Sequence, residues 1–278
     1  MCAEMITTQG MHMPKLGLGT GQLRGAAGQQ AIEQALGIGY RHLDTAEMYT
    51  NEATVGAAIK ASGVPRADIH VTTKVLAENL APVALRAAIE RSLEALATDY
   101  VDLYLIHWPR PSMDLPRALE AMMRLRDEGR ARAIGVSNFP VALMRQAVED
   151  VRAPLACNQV EYHLQLDQSA VLGYARSKGI SVTAYAPLAR GQAIAYPEIA
   201  AIAKKHRATP AQVALKWLLD QDLVAAIPRT ARPETQRANL DAARLQLDDE
   251  DRRKIAGLPK TRRVVDPDYA PMWDPPVG

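Results

Sequence analysis

PVALRAAIERSLEALATDYVDLYLIHWP, residues 82–109, contains one whole unit of the pattern that decides the fold. From Val83 to Ala97 apolar residues recur three and four apart, the spacing of a helix with one buried face. Pro82 suits the first helical turn, where a missing N–H costs nothing. VDLYLIH then reads as a buried strand that stays largely apolar until it ends on His107. The unit recurs along the chain at intervals of about 30 residues. Strand-like runs lie at KLGLG near 17, YRHLD near 42, IHVTTK near 72, ARAIGVS near 134, ACNQVE near 159, ISVTAYA near 183 and LVAAIP near 225, making eight with VDLYLIH near 104. Each is followed by a helix-like segment, of which VALMRQAVED after Pro140 is another clear case. Strict β-α alternation implies a parallel sheet.

Such a sheet either closes as a barrel or stays open. Side chains within the runs are mainly apolar until the C-terminal ends, where Asp44, Lys74, His107, Ser137 with Asn138, Gln159, Tyr185 and Arg229 appear. Polar groups at the same edge of seven strands point to the mouth of a (β/α)8 TIM barrel, because an open sheet would gather them at one switch point. Before the first strand, ITTQGMHMPKL has two short runs around Gly10 and reads as a β-hairpin able to plug the barrel floor. From about Lys260 the chain is proline-rich and aperiodic, and an irregular C-terminal tail packed across one barrel face is expected. No linker or composition break divides residues 1–278, so one domain is expected.

Composition narrows the function class. Thirty-three Lys plus Arg against 31 Asp plus Glu leave a net charge of +2, which excludes a polybasic nucleic-acid arm and an acidic tail. No apolar run approaches the roughly 20 residues needed to cross a bilayer. MCAEMITTQG lacks the charged and apolar regions of a signal peptide, so a cytoplasmic protein is expected. Cys2 and Cys157 are too few and too badly placed for a disulfide framework. The six histidines show no HxxxH pair or Cys/His zinc spacing, so no metal is expected.

Asp44, Tyr49, Lys74 and His107 fall at or just after the ends of three consecutive strands. Neighbouring strands lie about 4.8 Å apart, so these side chains can converge at the barrel mouth. Beside the Lys74 ammonium, Tyr49 is expected to have its pKa drawn down toward working pH as a general acid. Asp44 would hold the lysine charged, and His107 would orient the same substrate oxygen. The early GLGTG, Gly17 to Gly21, fails the dinucleotide-fold fingerprint, because Gln22 or Arg24 stands where a small residue is required.

GYRHLDTAEMYTNEATVG (residues 39–56), followed in order by TTKV, LIHWP, IGVSNF, NQVE, AYAPLA and IPRT, resembles the aldo-keto reductases over nearly the whole chain. SGVPR, TDYVDLYLIHWP, ATPAQVAL and APMWD resemble the bacterial 2,5-diketo-D-gluconate reductase branch, where methylglyoxal and β-keto esters are also reduced. The resemblance implies NADPH bound in extended form, hydride transfer to an aldehyde or ketone, and no metal. It carries the catalytic tetrad onto Asp44, Tyr49, Lys74 and His107, with Tyr49 as proton donor. Ser137, Asn138 and Gln159 would hold the nicotinamide carboxamide and Tyr185 would stack on the ring. Gly19, Thr20 and Asp44 would lie at that end, Leu188 near the pyrophosphate, and Met48 and Trp108 along the substrate pocket, with Trp273 folding over the mouth or anchoring the tail. Arg229, Thr230, Arg232 and Asn239 would serve the adenosine phosphate and adenine. Thr235 and Ala238 depart from the arginine and acidic residue common there, and Gly21 replaces a common aromatic, implying a roomier entrance. A monomer is the family expectation, with a small carbonyl substrate as the only partner. Two other readings remain at this point: a Schiff-base aldolase with Lys74 as nucleophile, and a nucleotide-binding sensor without turnover.

Overall fold

The computed structural model describes residues 4–276, so Cys2 lies outside it, whereas Cys157 is a buried free thiol. Strands β3 (Leu18–Gly19), β4 (His42–Asp44), β5 (His70–Val75), β6 (Val101–Ile106), β7 (Ala131–Ser137), β8 (Leu155–Glu161), β9 (Ser181–Tyr185) and β10 (Val224–Ala226) pair in parallel and in chain order. The ring closes between its ends. Leu16 bridges Ala226, Gly17 N donates to Ala226 O at 2.9 Å, and Ala226 N donates to Lys15 O at 2.8 Å. The first strand is shorter than the sequence suggests. At Gly17 a Cβ would come within 2.6 Å of the His42 ring, so only glycine passes this corner without displacing the imidazole.

Helices α1 (Gly25–Ile38), α2 (Glu52–Ser62), α3 (Pro82–Leu96), α4 (Leu115–Asp127), α5 (Val141–Arg145) and α6 (Ser169–Ser177) follow successive strands. The segment after Pro140 is less regular than its pattern suggests: α5 passes directly into a π-helical turn over Gln146–Asp150. Two helices, α7 (Pro197–Lys205) and α8 (Pro210–Leu219), stand between β9 and β10 where one was expected. Thr209 starts α8 through a capping box, accepting from Gln212 N at 3.2 Å while Gln212 Oε1 accepts from Thr209 N at 2.8 Å. After β10 come α9 (Pro233–Asp241) and α10 (Asp249–Ala256). No described helix is long and apolar enough to cross a membrane.

Strand β6 shows how the layers form. Tyr104 and Ile106 belong to the core between strands and helices, with Leu85, Ile89 and Leu119. The alternate residues Leu103 and Leu105 pack inside the barrel with Ile6, Met11 and Met13. Those last three come from the N-terminal hairpin, β1 (Met5–Thr8) antiparallel to β2 (Met11–Pro14). The hairpin therefore seals the floor, as its two runs around Gly10 suggested. Two histidines fasten it: His42 Nδ1 lies 3.0 Å from Pro14 O and His70 Nδ1 lies 3.1 Å from His12 O, with the rings edge to face at 4.9 Å.

Burial holds both imidazoles below the free histidine value of 6.5. Their neutral forms thus stabilise the fold fully above about pH 6.5, and that stabilisation is lost as the pH falls from there through the folded values. Each contributes a slope of up to about 1.4 kcal/mol per pH unit in that window. Denaturant melts at stepped pH should show the loss, and His70→Gln should flatten it. An equal slope in the variant would remove His70 from the account.

Candidate active site

β4 and β5 bring the central ion pair together. Lys74 Nζ lies 2.6 Å from Asp44 Oδ1 and donates to Thr45 O at 2.6 Å, with the lysine side chain fully buried. Gln159 Nε2 donates to the other Asp44 oxygen at 2.7 Å. Tyr49 arrives on a 3-10 turn, Glu47–Tyr49, that directly follows β4. Its ring centre stands 5.1 Å from Lys74 Nζ and 5.7 Å from the His107 ring, edge to face. The four residues foreseen as a tetrad are therefore together.

Their electrostatics depart from expectation at one point. Burial favours the uncharged form of Lys74, but Asp44 and then Tyr49 outweigh it and hold the ammonium charged. Such an amine is a poor Schiff-base nucleophile, which counts against the aldolase reading. Tyr49 was expected to be drawn down by Lys74. Instead burial raises it and the ammonium offsets that only in part, so the phenol stays protonated through neutral pH. Burial and then Lys74 push His107 well below the ordinary value, leaving a neutral imidazole. Its Nδ1 is buried without a hydrogen-bond partner among the described residues.

Above these groups opens a cavity of about 1090 Å³. Gly19, Asp44, Met48, Tyr49, His107, Trp108, Asn138, Gln159, Tyr185, Leu188 and Arg229 all line it. Lys74 lies behind this wall, reaching it through Asp44 and Tyr49. Gly21 lines the cavity too, and a Cβ there would meet the Tyr49 ring at 3.8 Å, in ordinary contact. Asn138 adopts a left-handed φ of 64° and knits the base: Nδ2 donates to His107 O at 3.0 Å and Oδ1 accepts from the Tyr185 hydroxyl at 2.8 Å. Other foreseen residues sit differently. Ser137 is buried, donating to Gln159 O at 2.7 Å, and Thr20 is buried, donating to Asp44 O at 2.9 Å. Asn239 is buried in α9 beside Tyr40, while Arg232 is exposed, with its N–H directed to Thr230 Oγ1 at 3.2 Å.

Sequence reasoning passed over the residues that aim Tyr49. Glu47 ties its turn to the β5–α3 loop, accepting from Leu76 N at 2.9 Å and Asn79 Nδ2 at 2.8 Å. Asn51 ties it to the β3–α1 loop, with Nδ2 donating to Thr20 O at 2.8 Å and Leu23 O at 2.9 Å. Arg24 Nε donates to the Tyr49 carbonyl at 3.1 Å. The available signal was their density: Glu47 and Asn51 flank Tyr49 in one short polar loop. Elsewhere, His206, Asp248 and Asp251 form a group of metal-ligating types, but Lys205 bridges both carboxylates and the α10 cap uses them too.

Residues 15–259 match the sequence model of the aldo/keto reductase family. The chain belongs to that family. This aldo/keto reductase is 43% identical over 268 residues to methylglyoxal reductase DkgB of Escherichia coli O157:H7, covering 95% of this chain and 100% of that protein. It is 40% identical to glyoxal reductase of Bacillus subtilis strain 168, covering 92% of each. Among solved structures it matches a "putative 2,5-diketo-D-gluconic acid reductase B" with a TM-score of 0.94 at 39% identity, covering 99% of this chain and 98% of that one. The family and the reductase branch read from the motifs are thus the ones found.

Proposed function

We propose that this aldo/keto reductase acts as a single-domain, cytoplasmic monomer that reduces small aldehydes and ketones to alcohols with NADPH, using Tyr49 as proton donor. The substrates proposed are α-dicarbonyls such as methylglyoxal, keto sugars such as 2,5-diketo-D-gluconate, and β-keto esters. One observation carries the reading: a protonated phenol stands over a buried, charged lysine and beside a neutral imidazole, at the base of an open cavity. The relatives named methylglyoxal and glyoxal reductase support the substrate class.

The donor set suits an extended dinucleotide. Tyr185 offers a ring face, Asn138 and Gln159 offer amides at the base, and Leu188 and Arg229 extend the wall toward the rim. We assign the nicotinamide end to Gly19, Asp44, Asn138, Gln159 and Tyr185, with the buried Thr20 and Ser137 bracing Asp44 and Gln159, and the adenosine phosphate end to Arg229, Thr230 and Arg232, with the buried Asn239 in the helix that follows. Bound there, the reduced nicotinamide supplies the hydride. The chain's own residues manage the oxygen. His107 orients the carbonyl, and the Tyr49 hydroxyl gives its proton to the oxygen as negative charge builds on it. The charged Lys74 stabilises the phenolate left behind, and Asp44 holds the ammonium in place. Met48 and Trp108 shape the substrate end.

Loss of reduced-nicotinamide absorbance with methylglyoxal, a β-keto ester and 2,5-diketo-D-gluconate tests the reading. Turnover with NADPH is expected; tight cofactor binding with no turnover would favour the sensor reading. Arg229→Ala should weaken NADPH by about tenfold while changing NADH by less than about twofold, because only NADPH carries the extra phosphate. Equal losses would place phosphate recognition elsewhere.

A further inference from the structure

We propose that Arg24 is a specificity-determining residue that binds the carboxylate of a carbonyl substrate, so that the protein favours aldehydes and ketones carrying an acid group several bonds from the reacting carbon. The proposal rests on the reductase reading and adds the charge that the substrate carries.

The charged side chains lining the cavity are Arg24, Asp44, Arg190, Arg229 and Asp266. Both acids are already engaged. Asp44 pairs with Lys74 and accepts from Gln159, and Asp266 accepts from Trp273 Nε1 at 2.8 Å. No carboxylate among the described residues pairs with any of the three arginines. A concave mouth with such a surplus of cations concentrates anions. The proposed dinucleotide accounts for two of the three: Arg229 stands at the adenosine phosphate end, and Arg190 follows shortly after Leu188 on the same wall.

Arg24 is placed differently, on the residue that would deliver the proton. Its Nε donates to the Tyr49 carbonyl at 3.1 Å. Its Nη1 and Nη2 groups have no hydrogen-bond partner among the described residues. Those are the nitrogens able to grip a carboxylate with parallel bonds, and a guanidinium already held at Nε loses less freedom in doing so. The surroundings leave its charge unopposed. Arg24 immediately precedes α1, whose first turn contains no acidic residue and whose start has no side-chain cap, so the positive end of the helix dipole adds to the guanidinium. Glu47, in the same turn as Tyr49, is committed to Leu76 N, Asn79 Nδ2 and Arg91.

This anchoring also fixes the distance that a substrate must span. The carbonyl that holds the guanidinium and the hydroxyl that meets the substrate oxygen belong to one tyrosine, so the two binding points are separated by about the length of its side chain. A carboxylate directly beside the reacting carbonyl falls short of that span. One near the other end of a short chain, or across a ring, covers it. 2,5-Diketo-D-gluconate meets the requirement, having a keto group remote from its carboxylate, whereas methylglyoxal carries no charge for Arg24 to bind.

The test uses 4-carboxybenzaldehyde and its methyl ester, which differ in charge and little in shape. In the parent protein kcat/KM should favour the acid, and added salt should erode that preference while leaving the ester unaffected. Arg24→Gln should lower the acid-to-ester ratio of kcat/KM roughly three- to tenfold, through KM, as expected for one charge-assisted contact at a partly exposed site. Arg24→Lys keeps the charge without the fork and should fall in between. Any loss common to acid and ester reports the bond to the Tyr49 carbonyl and cancels in the ratio. An unchanged ratio in Arg24→Gln overturns the proposal. So does a common loss with NADPH and NADH both bound more weakly, which gives the guanidinium to the cofactor's pyrophosphate. If the parent turns over no carbonyl, the reductase reading fails, and calorimetric titration of 4-carboxybenzaldehyde into the NADP+ complex still judges the site: affinity should fall by a similar factor in Arg24→Gln, and equal affinities overturn it.

Discussion

Replacing Tyr49 with phenylalanine is expected to cut turnover by about 10²- to 10⁴-fold, the range spanned by a positioned general acid. The substitution removes one oxygen and leaves the ring against His107 and Lys74. It touches none of Tyr185, Asn138, Gln159 or Arg229, so NADPH affinity measured by fluorescence quenching should be unchanged. His107 cannot take over, because burial and Lys74 hold it neutral and well below the ordinary histidine range. The pH profile follows from the same geometry. Tyr49 is raised by burial, so the parent enzyme keeps its proton loaded across neutral pH and loses it only in alkali. Turnover of Tyr49→Phe near the parental rate would remove Tyr49 from the role of proton donor.

Lys74→Met should be damaging in two separable ways. The Asp44 carboxylate, 2% exposed, would keep Gln159 but lose its ammonium. Stripping one partner from a buried pair costs about 3–5 kcal/mol, which denaturant titration should show. Turnover should fall as well, since nothing then stabilises the Tyr49 phenolate. The double variant Asp44→Leu/Lys74→Met separates the effects: it removes the stranded charge, so stability should largely return while turnover stays lost. A double variant as unstable as Lys74→Met would mean that packing, not charge, dominates here.

The parallel barrel was legible because both faces of its strands are covered, which forces runs such as VDLYLI to be nearly continuous in apolar residues. The tetrad was legible because Asp44, Lys74 and His107 stand at or beside strand ends and Tyr49 follows in the turn after one. What the pattern does not contain is depth. Nothing in the neighbourhood of Tyr49 in sequence says that burial will outweigh Lys74, so the direction of its pKa shift was misjudged. The turned-in positions of Thr20, Ser137 and Asn239 follow from loop and helix rotation, which residue type alone does not encode. The interval between β9 and β10 holds two helices where one was expected, the second started by Thr209 and Pro210.

Closure of the ring has a kinetic consequence. The seam joins residues 15–19 to residues 226–228, partners separated by nearly the whole barrel sequence. Bringing ends roughly two hundred residues apart into register requires a large loop entropy to be overcome before the contact rewards it. Most β-α units can form from neighbours, but the seam must await both termini of the barrel. A nascent chain that has not yet reached Ala226 therefore exposes open edges on β3 and β9, and the ring can close only when the last strand arrives.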